Sequence, residues 1–452
     1  MDKRVEVPVG VKAAEAPLGV WGSYRAARRN VLELIPASAF HEKIVTGGPH
    51  TKMVMLMDPD GIERVLKGAA DDYPRSQSGL RMMKPRRGDN IVSASGPLWR
   101  AHRKAMSPMF QPRALAAYTK TMTHAAQVAS NQVAEAGTSA FDIFPMVMGA
   151  TRDVICDLAL SGDETLDRDK LTDAIDGALA TVTRYSLMDL LRVPIWVPRP
   201  GSILNRSRAQ LDKMADQIAD ARRRRGPCDP PDMLDALLMS EARGDDGGIT
   251  RLDLRNDIIA LLFAGHETTA LAIGWSIYLL ALHQDVQEEV ASVCAGVLGD
   301  RAAVGEDVAA LPIMRQVVDE AMRLYPPAAV LGRMAAVDDE LAGIPVAAGT
   351  TILIAAYALH RHRALWDEPD RFDPTRFRPD AKDKRHRYQF IPFGAGPRIC
   401  VGTEFAYTEA VIILATLFAR YRFTLAPGFK PFPRMWFTLR PATGVQVIAQ
   451  RR

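Results

Sequence analysis

The stretch Phe390-Ile-Pro-Phe393-Gly394-Ala-Gly396-Pro-Arg398-Ile-Cys400-Val-Gly402 sets one cysteine among three glycines and one arginine. An apolar helical pattern follows, from Thr403 to Phe418. Glycines permit tight turns and bring backbone close to a flat ligand. Amides at the start of a helix favour negative charge, so this position stabilises Cys400 as a thiolate. A metal bound to that sulfur would remove its proton outright. Arg398, two residues earlier, offers a cation to an anionic group. The other cysteines, Cys156, Cys228 and Cys294, lie in helical or loop contexts without this pattern. They are expected to be plain thiols.

Working outward, the composition narrows the classes. Apolar residues make up 48% and charged residues 24% of the 452-residue chain, the usage of a globular protein with a large core. The formal net charge of +4 lacks the strong basic excess of nucleic-acid binders. Four cysteines with no C-x-x-C pair do not form a disulfide framework, and a reducing cytoplasm is the expected location. Pro8, Lys12, Glu15 and Pro17 interrupt every N-terminal apolar run, so neither a signal peptide nor a membrane anchor is expected. The apolar stretch Ile258 to Leu282 carries His266 and Glu267 near its middle, which would be costly facing lipid. It reads as a buried core helix.

The expected fold is mainly α with a smaller β-rich part, as one domain over residues 1–452. Residues 1 to about 40 read as a loosely ordered opening segment with short helical pieces. Lys52 to Met57 is strand-like and leads into the turn Asp58-Pro59-Asp60-Gly61 and a helix. Pro74 to Asp89 reads as a long irregular, exposed loop bearing Arg75, Arg81, Lys84, Arg86 and Arg87. From Trp99 to Leu298 helix follows helix, with breaks at Gly137, Gly162, Pro194 to Gly201 and Gly226 to Pro231. Arg222 to Arg225 reads as the solvated end of a helix. After Pro326 short β-prone runs appear, such as Thr350 to Ile354 and Gly444 to Ile448.

Phe393-x-x-Gly396-x-Arg398-x-Cys400-x-Gly402 resembles the haem-binding loop of the cytochrome P450 family at every defining position. The resemblance implies the P450 fold, a single large helical domain with a long central helix. It also implies haem b with Cys400 as its thiolate ligand, and Phe393, Gly394, Arg398 and Gly402 around the cofactor.

Further motifs follow in family order. Ala264-Gly265-His266-Glu267-Thr268-Thr269 resembles the oxygen-activation motif. It lies in a helix expected over about 251–282, on the order of 48 Å at ~1.5 Å per residue. Thr250 and Asp253, with Ile249 before them, resemble a capping box with a staple at its start. Gly265 and the threonines suggest a widened turn able to seat dioxygen and water. By the resemblance, Ala264 borders the cofactor. Glu267 is the acid that feeds protons inward, and Thr268 is the alcohol that hydrogen-bonds dioxygen.

Glu320-Ala-Met-Arg323, then Phe372-Asp-Pro374-Thr-Arg376-Phe377, resemble a buried triad of Glu320, Arg323 and Arg376 beneath the cysteine loop. Thr375 departs from the Glu that many members carry, outside that triad. Trp99-Arg-Ala-His102-Arg103 resembles the family's Trp-x-x-x-Arg helix, with Trp99 and Arg103 on the haem propionates and His102 assisting. Arg333 matches another propionate-binding arginine.

What the resemblance implies is a monooxygenase that inserts one atom of dioxygen into a C–H bond of a hydrophobic small molecule. Pocket candidates are the loop from Arg75 to Ser93, the Ile258 to Thr268 face, Ala328 to Leu331, and Met435 to Phe437. Electrons would come from a separate ferredoxin or flavodoxin with its NAD(P)H-dependent reductase, the chain being a monomer. Lys382, Lys384, Arg385 and Arg387, with Arg100 and Lys104, form either a docking face for that acidic partner or an ordinary solvated surface. Two rival readings are a peroxide-driven haem-thiolate enzyme and a non-catalytic haem sensor. The intact Glu267-Thr268 pair argues against the first, and a sensor need not keep that pair.

Overall fold

The computed structural model describes residues 6–16, 18–47, 52–76, 79–80, 87–159, 170–171, 173–175, 177, 206–229, 231–244 and 247–452. The expected breaks at Gly162 and Pro194 to Gly201, and Arg81, Lys84 and Arg86, lie outside them. The chain packs as two compact units, 1–76, 122–150 and 268–452 in one, 77–121 and 151–267 in the other. Three of the four boundaries fall inside the helices Pro112–Ala136, Phe144–Ala159 and Arg251–Leu282.

Two physical facts place the central helix, Arg251–Leu282. Its start is capped as expected: Thr250 Oγ1 donates to Asp253 Oδ2 at 2.7 Å, and Asp253 N donates to Thr250 Oγ1 at 3.2 Å. Beyond its first two turns its side chains are mostly apolar and spread around every face, so it must be enclosed by protein. By length and composition it could cross a membrane, yet 78% of its most apolar window is buried. Core packing accounts for that hydropathy.

In the first unit, the helix Thr403–Arg420 is buried over most of its length and packs against Gln284–Leu298 and Pro312–Leu324. Trp275 stacks on Tyr325 with ring centroids 3.9 Å apart and donates its indole N–H to the Leu439 carbonyl at 3.0 Å. A four-stranded sheet has the order Ile44–Thr46, Met53–Leu56, Thr351–Ile354, Leu331–Met334. Met53–Leu56 pairs in parallel with Thr351–Ile354, whose other edge is antiparallel to Leu331–Met334. Asp58 then caps the helix Pro59–Glu63 by accepting from Gly61 N at 3.0 Å. A second sheet joins Gln446–Arg451 to Tyr421–Leu425 and to Phe141–Asp142.

The opening segment is better anchored than its composition suggests. It holds the helix Val20–Arg29 and two 3-10 turns. Tyr325 Oη donates to Val9 O at 2.7 Å, and Val11 N donates to Tyr357 Oη at 2.9 Å. Buried phenols need polar partners, and an extended backbone supplies them.

In the second unit, the helices Gly96–Met106, Arg206–Arg225 and Met233–Ala242 accompany the first half of the central helix. Here the reading of Arg222 needs correction. It is buried rather than solvated, with guanidinium nitrogens 2.9 Å from Asp232 Oδ2 and 2.8 Å from Asp235 Oδ1. The following loop folds back to bring those acids to it.

Candidate functional site

The cysteine loop belongs to the first unit. Gly394 and Gly396 hold φ of +68° and +71°, a region that side chains disfavour. A Cβ on Gly396 would fall 1.8 Å from the Leu66 carbonyl oxygen, so the loop's close approach to that segment requires glycine. The loop closes on itself through Cys400 N donating to Phe393 O at 3.0 Å. Thr403 Oγ1 donates to the Cys400 carbonyl at 3.0 Å as the helix begins. Of the four cysteines, only Cys400 is exposed. Phe393 packs on Tyr407 with ring centroids 5.2 Å apart. Arg315 lies 3.9 Å over the Tyr407 ring, whose phenol bonds Asp319.

Beneath the loop sits the expected triad. Glu320 and Arg323 are fully buried and joined by two bonds, Nε to Oε2 at 2.6 Å and Nη2 to Oε1 at 2.8 Å. Arg376 Nε stands 3.6 Å from Glu320 Oε1. Arg323 also donates to the carbonyls of His360, Pro369 and Arg371 at 2.8, 2.6 and 2.8 Å. His360 carries this order upward, because its Nε2 accepts from Ile391 N of the cysteine loop at 3.0 Å. Burial, then the neighbouring Arg323 and Arg361, drive the His360 pKa down to about 3. The neutral ring is what lets Nε2 accept.

Arg333 stands in the strand Leu331–Met334, and Arg75 forms an antiparallel bridge to it. Arg75 is therefore ordered, not part of an exposed loop. Both guanidiniums are largely buried. Burial, followed by Arg333 and Arg398, lowers Arg75 to about 9. Burial, followed by Arg398, lowers Arg333 to about 10. Arg75 Nε is buried without a hydrogen-bond partner, and among the described residues no carboxylate pairs with Arg75 or Arg333. Converging buried cations need an anion. An accessible sulfur at the start of a helix, with guanidiniums lacking acids, suits an iron porphyrin with ionised propionates. The sequence reading placed Arg75 in a candidate pocket loop but missed its burial. Its type was visible, but its burial depends on pairing with a strand more than 250 residues away.

A carboxyl also escaped the sequence reading. Glu409, nine residues past Cys400, is fully buried. Burial pushes its pKa well above the ordinary 4.5, with Thr269 nearby as the group that favours the charged form. A raised folded value means that stability is fully present below about pH 4.5 and is lost as pH rises toward neutrality. Glu409→Gln is expected to be more stable than wild type at neutral pH, with the difference closing below about pH 4.5. Urea denaturation across that range checks it. Equal stability at pH 7 would mean that Glu409 bears no burial penalty.

In the second unit, Trp99 and Arg103 are half-buried and His102 is fully buried. On the central helix, Glu267 is 1% exposed. Ala264 is exposed and Thr268 half-buried, one turn apart on one face. The expected widened turn is not seen: the α-helix is continuous through Gly265 to Thr269. Gly265 instead lets the helix Phe144–Ala159 approach, since a Cβ there would lie 2.6 Å from Ile155 Cγ1. Thr151 Oγ1 spans the same contact, donating to the His266 carbonyl at 2.9 Å.

The proposed basic surface divides. Lys384 and Arg387 are exposed in the first unit, Arg100 and Lys104 in the second. Arg385 is drawn inward, 4.4 Å over the Phe377 ring and 5.1 Å over Trp366. A concavity of about 740 Å³ opens beside the cysteine loop, lined by Lys67, His386, Arg387, Tyr388 and Gly394 among others.

The Cytochrome P450 family model matches residues 38–448. The chain belongs to the cytochrome P450 family. Among its relatives, "Putative cytochrome P450 132" of Mycobacterium tuberculosis is 29% identical over 417 residues, covering 89% of this chain and 88% of that protein. Human cytochrome P450 4F12 is 27% identical over 401 residues, covering 83% and 76%. A zebrafish cytochrome P450 structure with abiraterone superposes with a TM-score of 0.76 at 24% identity, covering 90% of this chain and 95% of that one. That structural likeness supports the fold: mainly helical with a smaller sheet part. This P450 is thus a haem-thiolate monooxygenase in general terms, binding haem b through a cysteine thiolate and drawing electrons from a redox partner.

Proposed function

We propose that this P450 hydroxylates a hydrophobic small molecule, with Cys400 as axial ligand and Glu267 and Thr268 as proton donors. The observation that carries this reading is a buried acid, Glu267, followed directly by Thr268 within the mostly apolar middle of the central helix. Bound haem supplies the activation of dioxygen, and the thiolate's electron density favours O–O cleavage. The protein positions substrate and meters protons. Glu267 holds a proton inside the helix bundle and passes it toward the Thr268 hydroxyl, which presents it to the oxygen site. Ala264, exposed one turn earlier, leaves space on that face.

For the cofactor, Trp99, His102, Arg103, Arg333 and Arg398 serve the propionates, and Arg75 joins them. Phe393, Gly394 and Gly402 flank the ligand sulfur. Glu320, Arg323 and Arg376 hold the loop from below. We assign both compact units to one catalytic domain, acting as a cytoplasmic monomer. The electron donor is a ferredoxin or flavodoxin with an NAD(P)H-dependent reductase, attracted by Lys67 and Arg387 beside the cysteine loop and by exposed Lys384.

Thr268→Ala tests the proton role. Haem content and the carbon-monoxide spectrum should stay as in wild type, while reducing equivalents divert into hydrogen peroxide. The measurement is product formed per NAD(P)H consumed, with peroxide assayed in parallel. An unchanged ratio removes Thr268 from proton delivery.

A further inference from the structure

His102 and Asp257 are both fully buried, with His102 Nδ1 2.5 Å from Asp257 Oδ2. The other Asp257 oxygen accepts from Ile91 N at 2.8 Å, which fixes the carboxylate against the loop leading to the Trp99 helix. The second ring nitrogen, His102 Nε2, is buried and has no hydrogen-bond partner. An unpaired buried donor or acceptor costs about 1–3 kcal/mol. A carboxylate bound to one imidazole nitrogen fixes the ring's orientation and tautomer, and raises its basicity. With Nδ1 bonded to Asp257, the ring has one free polar atom, Nε2, and that atom calls for a polar partner.

The bound anions that this family's cofactor brings are its propionates. Trp99 and Arg103 share the helix Gly96–Met106 with His102. We propose that Asp257 is a positioning residue for the haem: its bond to Nδ1 fixes the His102 ring so that Nε2 is presented to a propionate. The His102 ring would then link the central helix to the cofactor. It rests on the reading that the Trp99 helix serves the propionates.

Charged groups lie close to the pair. Asp253 lies one turn earlier on the central helix and accepts from Asp89 N at 2.6 Å. The Asp89 carboxylate accepts from Ser93 Oγ at 2.9 Å. Arg208, from the helix Arg206–Arg225, is turned to Asn256 Oδ1 at 2.9 Å. Burial, opposed by the His102 bond, raises the Asp257 pKa, so its charge depends on that partner.

The test is haem transfer from purified holoprotein to excess apomyoglobin, timed by absorbance. Asp257→Asn is expected to release haem roughly 10–100-fold faster, the scale on which losing a carboxylate behind a ligating histidine acts. Asp257→Glu should restore wild-type release, a rescue that a merely structural role would not give. His102→Gln should match Asp257→Asn, and it carries the test if Asp257→Asn does not fold. Arg103→Gln separates the two levels of inference. If Arg103→Gln speeds release while Asp257→Asn and His102→Gln behave as wild type, the positioning role is overturned and the helix assignment stands. If none of the three changes release, the helix assignment fails and the proposal with it.

Discussion

Replacing Cys400 by serine is expected to abolish the red-shifted Soret band of the reduced carbon-monoxide complex. That band reports thiolate bonded to haem iron, and no other cysteine can substitute. Cys156 and Cys294 are buried in the core, and burial pushes the Cys294 thiol up to about 12. Cys228 lies in a loop of the second unit, where its backbone N–H donates to Asp235 at 2.9 Å. Cys400 alone combines an accessible sulfur, a loop shaped by two left-handed glycines and a helix beginning three residues later. A serine hydroxyl is far too weak an acid to give the same ligand at neutral pH. The expected product is protein with little haem, or with haem lacking the thiolate signature. Difference spectra of the carbon-monoxide adduct decide the matter, and an unshifted, full-intensity thiolate band in Cys400→Ser would overturn the ligand assignment.

The second large effect lies beneath that loop. Arg323→Met should lower unfolding free energy by about 3–5 kcal/mol, the cost of stranding one member of a buried ion pair. The figure applies because Glu320 and Arg323 are both fully buried, so water cannot replace the missing charge. The change would also orphan the carbonyls of His360, Pro369 and Arg371, which a methionine cannot serve. Arg323→Lys should recover only part of the loss, because an ammonium lacks the planar fork that reaches both Glu320 oxygens and the carbonyls. Urea denaturation followed by circular dichroism measures this. A loss below about 1 kcal/mol for Arg323→Met would place the pair in the class of exposed salt bridges. Because His360 links Arg323 to Ile391, the same variants should also loosen haem retention.

Local chemistry was legible where it is written in consecutive residues. The capping pair Thr250 and Asp253 marked the start of a helix that runs from Arg251 to Leu282. The glycine spacing around Cys400 marked a turn whose φ values require those glycines. Glu320 and Arg323, one helical turn apart, could be paired from spacing and their buried environment anticipated from the family resemblance. Such features depend on neighbours within a turn or two, so spacing alone carries them.

What the sequence by itself determined was the set of groups and their local geometry: a cysteine at a helix start, an acid beside an alcohol on a core helix, a Glu-x-x-Arg turn. Tertiary structure decided which charges lose their water. Arg75, Arg222 and Arg385 look alike as letters in basic stretches. Yet Arg75 is bridged to Arg333, Arg222 is clasped by Asp232 and Asp235, and Arg385 lies on aromatic rings. Glu409 and the pair His102–Asp257 are likewise defined by packing from distant segments. The reason is electrostatic: a side chain's charge is set by the dielectric and partners around it, and long-range folding alone brings those together.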